Sequence, residues 1–146
     1  MLRGSSPAKV DDKGRFKLPT VFRAVIEPEW GREFFVTSLL GDSVRIYPLA
    51  VYSEIEQRVM ASSAVDARVA KLRRALNYFG QPASMDRSGR IAIHPMLRQH
   101  AGIDKDITVL GSQNFVEVWD TARFVQNMKD DPLSEADLAG LADLGI

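Results

Sequence analysis

Two arginines occupy the same place in a repeated pattern, Asp-x-x-Gly-Arg, and this is the strongest chemical signal in the chain. The pattern occurs at residues 11–15 and again at residues 86–90. A guanidinium group presents several N–H donors in one plane, so it can bind a carboxylate, a phosphate or the edge of a guanine base. Arg15 and Arg90 are therefore the first candidates for a binding function.

The acidic and glycine positions of the pattern indicate a tight turn. Aspartate at the first position and glycine at the fourth suit a type I turn, in which the glycine is free to adopt a positive φ angle. We assign Asp11 with Gly14, and Asp86 with Gly89, to forming the turn and orienting the arginine that follows.

Alternating residues beside each turn predict strands. The apolar set of the first copy is Val10, Phe16 and Leu18, the cationic set is Lys9, Arg15 and Lys17, and the apolar set of the second copy is Met85, Ile91 and Ile93. A period of two places each set on one face of a strand. Each copy therefore predicts a hairpin with an arginine just past its tip, and a two-stranded ribbon of this kind fits the major groove of DNA.

The similarity between the two halves extends well beyond the turn. With Gly14 aligned on Gly89, Leu18 meets Ile93 and Arg23 meets Arg98 at an offset of 75 residues. Downstream, an offset of 72 pairs VRIYPLAVY with VEVWDTARF. Agreement in order, type and spacing over about 45 residues indicates an internal duplication.

Each copy continues with a short helix and two further strands. Proline followed by spaced apolar residues predicts one or two helical turns in PTVFRAVI and in HPMLRQHAGI, ended by Gly31 and Gly102. EFFVTSLLGDSVRIYP and DITVLGSQNFVEVWD each predict two strands around a turn.

Amphipathic patterns predict longer helices over residues 49–61 and 65–79. Their apolar stripes, which should pack inward or on a neighbour, are Tyr52, Ile55 and Val59 in the first helix and Val65, Val69, Leu72, Leu76 and Phe79 in the second. Arg68, Lys71 and Arg74 form a solvated face, with a role in DNA binding as the less favoured interpretation. In the C-terminal residues, Ser134 is a candidate cap with Asp137 three positions later.

A single unit of this size buries too little apolar surface to fold alone. Pairing the two copies supplies one core, so we expect an α+β fold, mainly β with helices. The two tips would then be displayed side by side on one surface.

Composition and charge restrict the function classes. The chain is 45% hydrophobic and 26% charged and contains no cysteine, so disulfides and thiolate metal sites are excluded. MLRGSSPAKVDDKG lacks the apolar core of a signal peptide and no stretch suits a membrane span, so we expect a cytoplasmic protein without a membrane partner.

The net charge of zero hides alternating blocks. Residues 1–23 hold six Lys and Arg against two Asp and Glu, and residues 65–100 hold seven against two. Residues 24–64 hold three against six, and residues 101–146 hold three against nine. Both turns lie in basic blocks, which can attract phosphate locally.

Other candidate chemistry is weaker. His94 and His100 lack carboxylate or cysteine companions at metal-ligand spacing, so no metal or cofactor is expected. The turn aspartates have no nucleophile beside them, so an enzyme is the least favoured class. Trp30, Tyr47 and Trp119 are expected to be core or interface anchors.

Each binding candidate has an ordinary alternative. Arg15 and Arg90 could pair only with their turn aspartates, in ion pairs of the weak surface kind. The pairing and a DNA contact are compatible, because the carboxylate could orient the guanidinium. The flanking cations Lys9, Lys13, Lys17 and Arg87 are either phosphate contacts or solubilising charges.

MLRGSSPAKVDDKGRFKLPTVFR, the central DRSGRIAIHPMLR and the late VEVWDTARF closely resemble the bacterial MraZ family, with two SpoVT/AbrB-like swapped-hairpin repeats. The resemblance covers roughly residues 1–125. It implies a pseudo-twofold double swapped-hairpin β-barrel and places the first repeat at residues 5–52 and the second at residues 81–124. Residues 53–80 would form a helical connector, and residues 125–146 an acidic tail.

The resemblance also implies a transcriptional regulator associated with the nucleoid. It would assemble into a ring and bind tandem direct repeats of double-stranded DNA at the promoter of its own division and cell-wall gene cluster, with contacts from Arg15 and Arg90. Two alternatives stay open: a ring-forming interaction scaffold without significant DNA binding, and an AbrB-type antitoxin. Antitoxins of that type usually carry one hairpin unit, which favours the regulator.

Overall fold

The fold is described from a computed structural model, and the description covers residues 1–62 and 65–146. The strands are β1 (Ser5–Lys9), β2 (Arg15–Lys17), β3 (Glu33–Thr37), β4 (Val44–Pro48), β5 (Gln81–Ser84), β6 (Arg90–Ala92), β7 (Asp106–Ser112) and β8 (Phe115–Asp120). The helices are α1 (Thr20–Trp30), α2 (Leu49–Ala61), α3 (Ala67–Tyr78), α4 (Pro95–His100), α5 (Thr121–Asp130) and α6 (Glu135–Gly140), and a 3₁₀ turn spans Ala142–Leu144.

The order of elements confirms the α+β class and follows the duplication. Each copy contributes strand, strand, helix, strand, strand and then a longer helix. The helices α2 and α5 begin at Leu49 and Thr121, which keeps the offset of 72 seen in the sequence. Because α5 continues to Asp130, it runs through the boundary expected between the second repeat and the tail.

The expected pairing of strands within each hairpin is wrong. Beyond the bridge between Val10 and Phe16, β1 pairs with β7 of the other repeat, and β5 pairs with β3 of the first. The short strands β2 and β6 pair with each other. The repeats are thus interleaved, because each supplies a strand that pairs with a strand of the other. Neither repeat could form its sheet alone.

The expected closed barrel is not found among the described residues. Six strands form one antiparallel sheet in the order β1-β7-β8-β4-β3-β5, and β2 with β6 form a separate two-stranded ribbon. The outer strands β1 and β5 carry Pro7 and Pro82, which lack a backbone N–H and suit the edge of a sheet.

One apolar core lies between the ribbon and the inner face of the sheet. The apolar sets expected from the alternation are all buried there, including Phe16, Leu18 and Ile91 at 1% exposure or less. The helices α1 and α4 close this core with Phe22, Ile26 and Leu97. Burial on this scale supplies the main favourable free energy for joining the repeats.

A second, smaller cluster lies on the outer face of the sheet. Tyr47, Val51, Tyr52 and Leu76 are buried there, with Trp30 and Phe35 partly buried beside them. The ring of Tyr52 stacks on that of Phe35 with 4.1 Å between centroids. Tyr47 is thus a core residue as expected.

Two helices differ from the sequence expectation. The helix α1 has 11 residues rather than one or two turns, because it continues through Pro28 to Trp30, with Gly31 as its C-terminal cap. The helix α3 packs mainly through its C-terminal part: Leu76 is buried, whereas Leu72 is 38% exposed, and Val65, which precedes the helix, is 93% exposed. Its apolar stripe therefore turns inward only at one end.

Candidate nucleic-acid interface

The β2–β6 ribbon brings the two candidate arginines together. In its register Arg15 lies opposite Ala92, and Lys17 lies opposite Arg90. Arg15 and Arg90 are therefore diagonal neighbours on one face, a relationship that places side chains about 7–8 Å apart. The other face carries Phe16 and is buried in the core. The ribbon thus displays three cations outward from a fixed apolar base.

The first turn holds its arginine through the aspartate. Asp11 Oδ1 accepts hydrogen bonds from the backbone N–H groups of Lys13 at 3.0 Å and Arg15 at 2.9 Å. Asp11 Oδ2 accepts one from Arg15 Nε at 3.0 Å. These hydrogen bonds lower the pKa of the Asp11 carboxyl. The backbone N–H of Arg15 has the largest effect, and the Arg15 side chain and the backbone N–H of Lys13 add to it. One carboxylate therefore fixes both the turn and the guanidinium.

The second turn repeats this arrangement. Asp86 Oδ1 accepts from the backbone N–H groups of Ser88 and Arg90, each at 2.9 Å, and Oδ2 accepts from Arg90 Nε at 2.9 Å. The hydrogen bond from the Arg90 backbone is the first cause of a lowered pKa at Asp86. The carboxylate therefore plays the same structural part in both copies.

The local pairing of the arginines is present, and it leaves donors for a ligand. Each pair uses Nε, and no hydrogen bond from the terminal Nη groups of Arg15 or Arg90 to an acceptor is found in the part of the chain that the structure describes. The side chains of Arg15 and Arg90 are 29% and 39% exposed. The aspartate thus restricts the guanidinium while its outer edge stays accessible, which lowers the ordering cost of binding.

Each turn is also supported by an arginine that sequence reasoning did not select. The guanidinium of Arg98, on α4, occupies the space that the Cβ atom of a larger residue at position 14 would need. The guanidinium of Arg23, on α1, occupies the corresponding space at position 89. Both glycines have positive φ, 79° and 83°. The sequence signal was available, because Arg23 and Arg98 align in the duplication, but only the interleaved fold shows that each supports the opposite repeat.

The two supporting arginines differ in their charge environment. Arg23 Nε donates to Glu27 at 2.9 Å, and Arg32 donates to the other oxygen of the same carboxylate at 2.9 Å. Hydrogen bonds from Arg23 first, and then Arg32, lower the pKa of Glu27. Gly102 stands at the aligned position in the second repeat, and Arg98 Nε has no hydrogen-bond partner among the described residues. The guanidinium near the second turn is therefore paired with a carboxylate, whereas the Nε of the guanidinium near the first turn is not.

The flanking cations lie close to the ribbon, and one of them forms an ion pair with an aspartate. Lys13, Lys17 and Arg87 are exposed. Lys9, also exposed, forms an ion pair with Asp106 at 3.2 Å, so it already has a partner.

Both histidines have structural contacts: His94 Nε2 hydrogen-bonds the carbonyl of Phe79 at 2.7 Å, and the ring of His100 packs edge-on against that of Phe79.

The chain is similar over most of its length to a family of known bacterial proteins. The family model for "MraZ protein", whose description adds the term "antitoxin-like", matches residues 1–74 and 81–141. The chain belongs to the MraZ family. It is 36% identical to the transcriptional regulator MraZ of Acidobacterium capsulatum and 33% identical to that of Koribacter versatilis, over the whole of each chain. It is 36% identical to the Pseudoalteromonas translucida protein of that name, over 90% of this chain and 87% of that one.

Membership in the MraZ family agrees with the resemblance drawn from the duplicated turns. The matched residues include both Asp-x-x-Gly-Arg patterns and the whole β2–β6 ribbon. Within residues 1–62 and 65–146, no helix is long and apolar enough to cross a membrane.

Proposed function

We propose that the protein is a sequence-specific DNA-binding transcriptional regulator whose recognition element is the β2–β6 ribbon. The observation that carries the proposal is the position of Arg15 and Arg90 on one exposed face of that ribbon, each oriented by an aspartate. The names of the MraZ relatives support the class of function. No catalytic step and no cofactor enter the proposal.

In this mechanism the ribbon enters the major groove and the arginines read base edges. A guanidinium can donate two hydrogen bonds to O6 and N7 of guanine, which contributes about 1–3 kcal/mol of discrimination per pair. Lys13, Lys17 and Arg87 contact phosphates and set the position of the ribbon along the duplex. Lys9 contributes less, because Asp106 already neutralises it.

The family resemblance supports a proposal for where the protein acts. We place the protein in the cytoplasm, associated with the nucleoid, at tandem direct repeats in the promoter of its own division and cell-wall gene cluster. A ring-shaped homo-oligomer would present many ribbons at once. Binding through several weak contacts gains strength from the high effective concentration of linked sites.

The test is binding of the purified full chain to the DNA just upstream of its own gene. Fluorescence anisotropy at fixed salt should show tight binding, and footprinting should reveal protected repeats. Replacing both Arg15 and Arg90 by alanine should abolish the sequence preference and leave the weaker, salt-sensitive attraction to any duplex. Lys105→Glu, which changes an exposed cation outside the ribbon, is the control.

Two results would contradict the proposal. If the wild-type chain binds its upstream DNA no better than unrelated DNA, sequence-specific regulation is wrong and the interaction scaffold replaces it. If a toxin protein encoded beside the gene binds the chain and no operator is protected, the antitoxin alternative is correct. The double variant also has to keep the wild-type circular dichroism spectrum, so that lost binding is not lost folding.

A further inference from the structure

We propose that Arg98 binds a phosphate of the DNA backbone beside the first turn, and that Glu27 withholds the same contact from Arg23 at the second turn. This inference rests on the proposed function and adds a contact to it. The phosphate contact comes from α4 of the second repeat, whereas Arg15, which it accompanies, belongs to the first repeat.

Packing fixes the guanidinium of Arg98 beside the first turn. The guanidinium occupies the space that a Cβ atom at position 14 would need, so glycine at this position is what allows the close approach. The strand end that leads into α4 is held to the same turn, because the backbone N–H of Ile93 donates to the Gly14 carbonyl at 2.9 Å. A side chain that is already held in place loses little freedom when it binds a ligand.

The guanidinium of Arg98 has hydrogen-bonding capacity that the described chain does not use. An arginine carries five N–H donors. Within residues 1–62 and 65–146, Arg98 forms no side-chain hydrogen bond and no ion pair, whereas the aligned Arg23 forms both. Its Nε is enclosed without a partner. Such a buried donor is rare in native proteins because it loses its hydrogen bonds to water, and it points to a function for the group.

The end of the Arg98 side chain stays accessible to a ligand. The residue is half-buried. Of its side-chain nitrogen atoms, Nε alone is both enclosed and without a partner, so the two Nη atoms, which have no partner among the described residues either, reach solvent. A guanidinium presents these donors in one plane and is weakly hydrated, which suits it to paired hydrogen bonds with a phosphate.

The exposed residues of the two turns differ in charge. The first turn carries Asp12 and Lys13, which sum to zero, and the second carries Arg87 and Ser88 at the aligned positions, which sum to one positive charge. The first turn therefore has an acid where the second has a candidate phosphate contact. Arg98 supplies the first turn with the cation that its own sequence lacks at that position.

The second turn does not gain a free cation from its supporting arginine. Glu27 accepts hydrogen bonds from Nε of Arg23 and of Arg32, each at 2.9 Å. Nη2 of Arg23 also donates to the Arg87 carbonyl, at 3.4 Å. A phosphate would have to compete with both acceptors. Gly102 stands at the position aligned with Glu27, so no carboxylate of that kind restrains Arg98.

A phosphate contact has a signature that separates it from support of the turn. Each phosphate neutralised by the protein releases counterions, which adds about 0.9 to the slope of log affinity against log salt for duplex DNA. The contact strengthens binding to every sequence alike. A residue that only positioned Arg15 would instead alter the preference for the operator and leave the salt slope unchanged.

The test measures salt slopes with the full chain and a short duplex that carries one operator repeat, so that one ribbon is engaged. An unrelated duplex of equal length is measured beside it. Arg98→Gln should reduce the slope by about 0.9 on both duplexes, so that its affinity falls about threefold less than that of the wild type between about 50 and 200 mM salt. The ratio of the two affinities should not change.

Two further variants control for charge and for position. Arg98→Lys keeps the charge, so it should keep the wild-type slope. Arg3→Gln removes an exposed cation at the opposite end of β1 from the turn, so it too should keep that slope. A loss in Arg98→Lys equal to that in Arg98→Gln would show that packing rather than charge is responsible and would overturn the proposal.

The second turn provides a measurement in the opposite direction. Glu27→Gln removes the carboxylate charge that restrains Arg23, so the slope should rise by about 0.9. Adding Arg23→Gln should cancel the rise. Because Arg98 is unchanged in these variants, they test the proposal even when Arg98→Gln does not fold. A slope that stays at the wild-type value in Glu27→Gln would contradict it.

Neutral methylphosphonate groups, placed one at a time along the operator duplex, identify the phosphate itself. One of these replacements should weaken binding of the wild type and have no effect on Arg98→Gln, since the contact is already absent. The proposal is wrong if every replacement costs both proteins the same, if Arg98→Gln keeps the wild-type slope, or if the wild type binds no duplex. A wild type that binds both duplexes equally, with a slope that depends on Arg98, refutes sequence-specific regulation and leaves the phosphate contact standing.

Discussion

Arg98 lies against Gly14 across the boundary between the two repeats, and the same contact joins Arg23 to Gly89. The carbonyl oxygens of these two glycines also accept hydrogen bonds from the opposite strand ends, Gly14 from Ile93 at 2.9 Å and Gly89 from Leu18 at 2.8 Å. Each of the two turns is thus held by the repeat to which it does not belong. The two turns cannot be positioned independently.

Gly14→Ala should destabilise the fold more than Gly4→Ala. Both glycines have positive φ, 79° and 82°, so alanine at either position carries the left-handed penalty of about 1–2 kcal/mol. No atom of the described residues lies within 4 Å of a side chain begun at position 4, whereas a side chain at position 14 must displace the Arg98 guanidinium. Urea denaturation should show the larger loss for Gly14→Ala. In an Arg98→Ala background the two losses should become equal, and a persisting difference would contradict the role of Arg98.

Arg15→Ala should weaken operator binding more than Arg90→Ala. Arg98, whose guanidinium lies near the first turn, has no hydrogen-bond partner at Nε among the described residues, whereas Arg23, near the second turn, is paired with Glu27. We expect this difference, together with the exposed Lys13 and Lys17, to draw DNA more strongly to the first turn. We expect losses of about 1–3 kcal/mol for a bidentate base contact at Arg15 and a smaller loss at Arg90. Anisotropy titrations at one salt concentration measure both, and equal losses would contradict the expectation.

The charge explanation for this difference has its own test. Glu27→Gln removes the carboxylate that pairs with Arg23 and Arg32. In that background the second turn gains positive potential, so Arg90→Ala should cost more than it does in the wild type. An unchanged loss would mean that the difference between the turns has another cause.

Much of the site could be predicted from the sequence, because it depends on local rules. The turn pattern predicted that Asp11 and Gly14, and the matching residues of the second copy, form the turns. The period of two predicted that Phe16 and Ile91 are buried. These features depend on backbone sterics and on which face of a strand meets the core. The duplication then supplied the second site from the first.

The partner of each strand could not be predicted from the same rules. A period of two shows which face is buried but does not show which neighbour a strand pairs with, so β1 was expected on β2 and lies on β7. The contact of Arg98 with Gly14 depends on that exchange between repeats. The length of α1 was also missed, because the sequence predicted one or two turns in PTVFRAVI, whereas the helix continues past Pro28 to Trp30.

The stability of the fold should fall through His94 as the pH is lowered from 6.5 toward the folded-state pKa of this group. Burial lowers the pKa of His94 below its usual 6.5, and this outweighs the hydrogen bond to Phe79, which acts in the opposite direction. A lowered histidine pKa favours the neutral form in the folded state, so the stabilisation is complete above pH 6.5 and is lost as the pH falls toward the folded pKa. Asp11 and Asp86, with lowered pKa values, stay ionised in this range.

Thermal unfolding of His94→Gln measures this contribution. Glutamine can donate to the Phe79 carbonyl but does not titrate, so the melting temperature of the variant should fall less than that of the wild type between pH 7.5 and pH 5. His100→Gln, at the exposed histidine, should keep the wild-type decrease. If both variants behave alike, His94 is not the titrating group.

The affinity for DNA should rise steeply with the number of operator repeats. One ribbon offers two oriented arginines, so we expect a single repeat to bind weakly. A second repeat on the same duplex would be bound by a linked ribbon at high effective concentration, which can strengthen binding by about 10²–10⁴ without any new contact. Duplexes with one, two and three repeats, titrated with the wild type at one salt concentration, measure this gain. We expect the affinity to increase at each added repeat, because the ribbons of one ring are joined. A wild type with equal affinity for all three duplexes would show that the arginines of a single ribbon account for the whole of the binding.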